Sequence, residues 1–302
     1  IGMAGPAMIE GGGLGKFDPK EIGPADVQKN NGVIDYVAED EKDATNIAKK
    51  ILSYFQGEIK DWKADDQTKL SDIMPKDRRW SYPVRDIIKI ISDIEQFTEI
   101  RADYGKGIVT CFIRIKGKPF GLLANDSQHL GGAIDSEAAD KASSFIEMCS
   151  EYGVPIISLV DTPGFMVGPD SEKEGAVKRM SNLFKIGSKV KVPLTAIFLR
   201  KGYGLGAQAM VGGSLHEPVY TAAWPTGEFG AMGLEGAVKL GFKKELEKIE
   251  DNSKREELFN SLVEKLYDKG KAIEAAAHLE IDAVINPSET RSVILKSLKA
   301  FI

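Results

Sequence analysis

Apolar positions along this chain change period several times, and each change marks an element. Over 43–55 they recur at helical spacing and predict an amphipathic helix. Over 57–83 the periodicity is lost to charged and polar residues with prolines at 75 and 83, the composition of a solvated interdomain linker. Two strand-like runs, 107–115 and 119–124, flank the turn Lys116-Gly117-Lys118 and predict an antiparallel hairpin. Ala138, Ala142, Phe145, Ile146, Cys149 and Tyr152 then share one helical face, with Ser136 as the predicted cap and Gly153 as the stop. Next come a strand over 154–160, a helix over 172–186 and a strand over 192–199. That last strand feeds the turn 202–206, and 207–210 begins a short helix, so strand, glycine turn and helix recur and the class is α/β. The segment 243–282 is charged and helix-rich and reads as peripheral, and Ser288 is positioned to cap a closing helix running towards Ile302.

Composition narrows the class. The 302 residues are 42% hydrophobic and 28% charged, enough for the cores of one or two domains. The net charge of -5 is mild and the basic residues are interspersed with acids, so nucleic acid and anionic membrane are not expected partners. No apolar run approaches the ~18–20 residues of a membrane span, and a signal-peptide pattern is missing, so the expectation is a cytoplasmic protein, or a mitochondrial matrix protein in a eukaryote. Cys111 and Cys149 lie in apolar stretches and read as reduced core thiols. His129, His216 and His278 lack ligand spacing, so no metal is expected. The opening Ile1-Gly2-Met3 leads straight into a glycine loop, as though the chain began mid-domain.

Three motifs carry candidate chemistry. Asp161-Thr162-Pro163-Gly164 resembles the DxxG element of GTPases, but the only stretch near a GxxxxGK[ST] loop, 10–17, has Glu10 in place of its first glycine and Phe17 in place of the hydroxyl residue. Gly202, Gly204 and Ala207 match a loose dinucleotide fingerprint, yet about 20 residues on the chain reads Thr221-Ala222-Ala223-Trp224-Pro225, without the required acid. There remain two glycine turns, Gly131-Gly132-Ala133 and Gly204-Leu205-Gly206, each expected to leave a strand and enter a helix. Amides at such a place suit developing negative charge. The plainer reading is that glycine there permits a tight turn and close helix packing.

These residues also form a wider set: Ala124-Asn125-Asp126, His129-Leu130-Gly131-Gly132-Ala133-Ile134-Asp135, Asp161-Thr162-Pro163-Gly164-Phe165, Arg200-Lys201-Gly202-Tyr203-Gly204 and Ala223-Trp224-Pro225-Thr226. Together they resemble the C-terminal carboxyltransferase domain of the β subunit of biotin-dependent acyl-CoA carboxylases, of acetyl-/propionyl-CoA carboxylase type, from about Ile73 onward. Residues 1–56 resemble the end of that family's N-terminal acyl-CoA domain, 57–83 a linker, and 84–302 the biotin-side domain.

The resemblance implies a crotonase-like (ClpP/crotonase) spiral of repeated ββα units. It implies transfer of a carboxyl group from carboxybiotin, borne on a separate carrier protein, to the α-carbon of acetyl- or propionyl-CoA, with the oxyanions held by backbone amides. It further implies a biotin carboxylase and a biotin carboxyl carrier subunit as partners, and a homo-oligomer of two to six chains. By residue, it implies amide donors at Gly131, Gly132 and Ala133 in the first turn and at Leu205, Gly206 and Ala207 in the second. Many members read Gly-Gly-Ala directly after the tyrosine, so the second pair is either Leu205/Gly206 or Gly206/Ala207. Tyr203, Gly204 and Phe165 fall on the biotin side and Gln208 beside the acyl pocket. On this basis Gly206→Pro is expected to abolish transfer and Asp161→Ala to leave much of it. Two other readings keep the fold: a biotin-linked decarboxylase subunit of glutaconyl-CoA type, and a non-catalytic assembly module.

Overall fold

The hairpin is the frame on which the sheet is built. In the computed structural model, which describes residues 1–299 and 301, strand β2 (Ile108–Ile115) pairs antiparallel with β3 (Lys118–Asn125), from Ile108↔Asn125 to Ile115↔Lys118. The two loop residues, Lys116 and Gly117, have φ of 52° and 78°, the mirror-image turn whose twist matches that of the strands it joins. At Gly117 a Cβ would lie 2.0 Å from the Ile59 carbonyl oxygen, so only glycine fits. Strand β1 (Phe97–Ile100) adds to β2 antiparallel. On the other side β4 (Ile156–Thr162), β5 (Leu194–Tyr203), β6 (Tyr220–Ala223) and β8 (Ala283–Val284) continue in parallel, while β7 (Glu228–Gly230) pairs with the end of β5. Strands β2 and β4 are buried at every position, because the sheet is covered on both faces.

One face packs under α3 (Ser136–Glu151) and α4 (Ala176–Gly187), where Phe112, Phe145, Leu183, Phe198 and Met210 meet. The other packs on α2 (Val84–Ile91), whose Val84, Ile87, Ile88 and Ile91 form a single buried stripe. It also receives Trp224 and the C-terminal helix through Ile294. The ββα unit is plainest at β2, β3 and α3, and recurs with short strands at β6, β7 and the helix Leu234–Gly241. Among the described residues no helix is long and apolar enough to cross a membrane. Both cysteines are free and buried, and burial pushes their thiols up.

Several boundaries differ from the sequence reading. The first amphipathic helix, α1, is Glu41–Ser53, capped by Asp40 through the Asp43 amide. Asp135, not Ser136, caps α3 by accepting from the Ala138 amide at 2.8 Å, which leaves the Ser136 hydroxyl buried inside the first turn. The helix expected over 172–186 divides at Gly175, φ 73°, into Pro169–Lys173 and α4. Asn286, not Ser288, caps the closing segment, and its helix is Thr290–Ser297; the run towards Ile302 falls partly outside the described residues.

The segment 57–83 is anchored to the sheet at a few points, while most of its residues stay exposed. Leu70 and Tyr82 are buried in the second core, the Gln67 side chain donates to the Ile90 carbonyl at 2.7 Å, and the Tyr82 amide donates to the Ser127 hydroxyl at 3.1 Å. Its last turn is held from inside the sheet: Arg200 on β5 donates to the Trp80 carbonyl at 2.6 Å and lies 5.0 Å from the centre of the Tyr82 ring. Two apolar anchors and a few backbone acceptors suffice to fasten a stretch whose composition is mostly polar.

Two buried charges generate measurable consequences. Asp161 is fully buried, pairs with Arg200 at 2.9 Å and also accepts the Lys201 amide at 2.9 Å. Asp161→Ala therefore strands a buried guanidinium, and urea denaturation is expected to show a loss of roughly 3–5 kcal/mol. Lys141 in α3 is 1% exposed with no hydrogen-bond partner for its ammonium, and burial lowers its pKa to about 8 against a smaller opposing pull from Glu99. A folded-state pKa below the unfolded 10.5 makes the charged amine costly at pH below about 8, a cost relieved as pH rises from 8 to 10.5. Lys141→Met should raise stability by roughly 1–3 kcal/mol at pH 7, and its advantage should shrink across that alkaline window in a pH series of thermal melts.

Candidate active site

The carboxyl ends of β3, β4 and β5 bring three loops together, the place where ligands bind in parallel sheets. Their relative height is set by an irregularity between β4 and β5. Val160 pairs with Phe198 but Thr162 with Gly202, so three residues of β5 lie opposite Asp161 alone. Asp161 fills that gap, bonding the side chain of Arg200 and the backbone of Lys201. Its own amide donates to the Asn125 side chain at the end of β3, at 3.1 Å, so one residue ties together the ends of all three strands.

The first glycine turn differs from its expected form. It lies in the loop between β3 and α3, ending three residues before the helix, and the start of α3 is already occupied by the Asp135 carboxylate. Leu130, Gly131 and Gly132 have φ of 48°, 64° and 91°. The Gly132 amide donates to the His129 carbonyl at 2.9 Å and the Ala133 amide to the Leu130 carbonyl at 3.2 Å, so neither is free to hold an oxyanion as folded. Gly132 instead serves close approach, since a Cβ there would sit 2.3 Å from the Asp161 carbonyl oxygen. Gly131 is exposed, and its carbonyl accepts from the Lys201 ammonium at 3.4 Å. His129 lies 3.4 Å from the Asp135 carboxylate that caps α3.

The second turn is open where the first is closed. Strand β5 runs on through Tyr203, past the end read from sequence, and α5 (Gly204–Met210) begins directly after it with no side-chain cap. Among the described residues nothing outside the helix accepts from the amides of Leu205, Gly206 and Ala207, all in its first turn. Leu205 is exposed; Gly206 and Ala207 are buried. A Cβ on Gly206 would lie 2.7 Å from Gly164, so the loop 161–165 is pressed between the two turns. Phe165 bridges to Ile134 in that loop and is half-buried, its ring 6.1 Å from that of Phe184.

Tyr203 as a whole is 2% exposed, so its ring is part of the core rather than an open surface. Its hydroxyl is buried beside the Glu228 carboxylate, with Arg78 3.6 Å from that carboxylate on the far side. Burial raises the pKa of both Tyr203 and Glu228.

A cavity of about 460 Å³ opens beside α5, walled by Gly202, Gly204, Ala207, Gln208, Phe229 and Gly230. Its far wall is Lys269, Glu274 and His278, from α6 (Asn252–Gly270) and α7 (Ala272–Ala277) and the residue after it. The segment 243–282 is thus not wholly peripheral. It reaches the site because Lys271 bridges to Glu228 and the Ala272 amide donates to the Gly227 carbonyl at 2.8 Å, contacts with no local signature. Lys201 likewise has no role assigned by sequence, although its place inside the Arg200-Lys201-Gly202 motif is a visible signal. Among the described residues no three His, Cys, Asp or Glu side chains gather as a metal site would require.

Comparison with known proteins agrees with this geometry. The carboxyl transferase domain family matches residues 1–301. The methylmalonyl-CoA carboxyltransferase 12S subunit of Propionibacterium freudenreichii subsp. shermanii is 33% identical over 99% of this chain and 58% of its own length. A biotin-dependent acetyl-/propionyl-coenzyme A carboxylase beta5 subunit of Mycobacterium tuberculosis is 29% identical over 98% of this chain and 57% of its own. Among solved structures, a single-chain, multi-domain long-chain acyl-CoA carboxylase superposes with a TM-score of 0.92 at 51% identity, covering 98% of this chain and 29% of that one. The transcarboxylase 12S hexamer with methylmalonyl-CoA bound gives 0.87 at 31% identity, covering 99% and 59%. The chain therefore spans less than two thirds of these relatives. With its crotonase-like α/β fold, it belongs to the carboxyl transferase domain family.

Proposed function

We propose that this chain forms the biotin side of a carboxyltransferase active site, moving a carboxyl group from carboxylated biotin on a separate carrier chain to the α-carbon of an acyl-CoA. The observation that carries this reading is the uncapped start of α5 in a chain of this family: among the described residues the Leu205 and Gly206 amides have no acceptor, and the residues that follow them, Ala207 and Gln208, line the cavity. Bound biotin would supply an activated carboxyl group and, once that group has left, a ureido nitrogen able to take the α-proton.

The residues present fit such a ligand. Two amides at a helix start suit the negative charge that gathers on a ureido oxygen. Gly206 lets the helix start sit against Gly164, and Gln208 stands in the cavity wall where an acyl group would pass. The pair is taken to be Leu205/Gly206, and removal of the Leu205 amide distinguishes it from Gly206/Ala207. The work of the chain is to hold these donors in place and keep water from them, which requires no side-chain base.

The acyl group is short, acetyl or propionyl, by the resemblance of the motifs. A longer chain is the second reading, favoured by the 51% identity to a long-chain acyl-CoA carboxylase. A biotin carboxylase and a carrier subunit complete the system, and an assembly of up to six copies accords with the hexamer formed by the transcarboxylase relative.

The decisive variant is Leu205→Pro in the full-length protein with its carrier. Leu205 is exposed and lies in the first turn of α5, where proline is tolerated, so the change removes one amide with little else. Gly206→Pro is the poorer probe, since its ring would meet Gly164. Carboxyl transfer to acetyl-, propionyl- and palmitoyl-CoA is expected to fall ~10²–10³-fold in Leu205→Pro. Leu205→Ala, which keeps the amide, should lose at least tenfold less. Equal losses in two folded variants would rule out the amide role, and the order of rates across the panel decides the acyl length.

A further inference from the structure

Among the described residues Lys201 is the basic side chain that reaches from the end of β5 to the first turn, and the transfer chemistry assigned to the amides does not use it. Its backbone amide is fixed by Asp161 at the end of β5, two residues before Tyr203 and three before α5. Its ammonium reaches across to the first turn, where its hydrogen bond to the Gly131 carbonyl is long, at 3.4 Å. No carboxylate lies within ion-pair distance of it among the described residues. The two acids nearest in charge are both committed elsewhere: Asp161 to Arg200, and Glu228 to Arg78. The side chain is half-buried, and burial lowers its pKa. A partly desolvated cation held by one long bond to a neutral carbonyl has unused donors, and the group that satisfies them best is a carboxylate.

We infer that Lys201 binds the transferred carboxylate, holding it between the two glycine turns as it passes from one carrier to the other. The inference rests on the carboxyltransferase reading and adds to it the group that recognises the cargo. The amides of Leu205 and Gly206 face a ureido oxygen, which is common to biotin with and without its carboxyl group. Lys201 is what distinguishes the loaded form from the empty one, and the carboxylated acyl-CoA from its parent. A lysine that merely stapled the turns together would carry no such discrimination.

The test is binding of two thioesters that differ only in that carboxylate, propionyl-CoA and methylmalonyl-CoA, to the full-length protein by calorimetry. Wild type is expected to prefer methylmalonyl-CoA at least tenfold. Lys201→Met should lose that preference while its affinity for propionyl-CoA stays within about twofold, and Lys201→Arg, which keeps a cation, should retain most of it. Transfer from carrier should fall at least ~10²-fold in Lys201→Met with KM for propionyl-CoA little changed. Equal weakening of both thioesters in Lys201→Met, or an undiminished preference, overturns the assignment and leaves the carboxyltransferase reading standing. Wild type that binds neither thioester overturns both.

Discussion

Asp161 has no water to turn to, and that condition organises the site. It stands at the end of a strand buried on both faces, where an ionised carboxylate survives only if every lone pair finds a donor. Arg200 and the Lys201 amide supply those donors, and the same guanidinium reaches the Trp80 carbonyl. The requirement to satisfy one charge thereby sets the height of β5 against β4, fixes where β5 ends, and draws the 57–83 segment onto the sheet. The expectation from sequence that Asp161→Ala is mild treats this residue as part of a loop; its burial makes it part of the frame.

From that frame the two glycine turns diverge in character. Both approach the 161–165 loop closely, and in both a Cβ would collide with its backbone. The first is a 3-10 turn in which the amides of Gly132 and Ala133 are consumed by the carbonyls of His129 and Leu130. The second is the bare start of a helix, whose geometry leaves amides unpaired in its first turn. Similar composition thus yields one packing element and one set of free donors. The difference lies in where each turn stands: the first closes on itself ahead of α3, which Asp135 caps, whereas the second is itself the uncapped first turn of α5.

Charge near the site is distributed by the same logic. Arg78 serves Glu228 and Glu235, and Arg200 serves Asp161. The Arg78 pairs fasten the 57–83 segment to β7 and the helix Leu234–Gly241, while Arg200 reaches the same segment through the Trp80 carbonyl. Lys201 is left over from this pairing, which is why it stands apart from the structural network around it.

Much of the fold is legible in the sequence because it rests on local rules. Alternating and continuous apolar runs mark β2, β3, β4 and β5, the Lys116-Gly117 pair marks the hairpin, and the apolar stripe of α3 needs only helical spacing. The glycine turns and the family can be read from short motifs for the same reason, since a backbone held close to its neighbour demands a particular residue at a particular place. What the sequence determined by itself, then, is the class, the family and the loops that carry the site. Which amides remain free, the burial of Asp161, the docking of 57–83 and the arrival of His278 at the cavity were decided by tertiary structure alone. Each depends on pairing between residues distant in the chain, and a hydrogen bond made or left unmade across that distance leaves no trace in local composition.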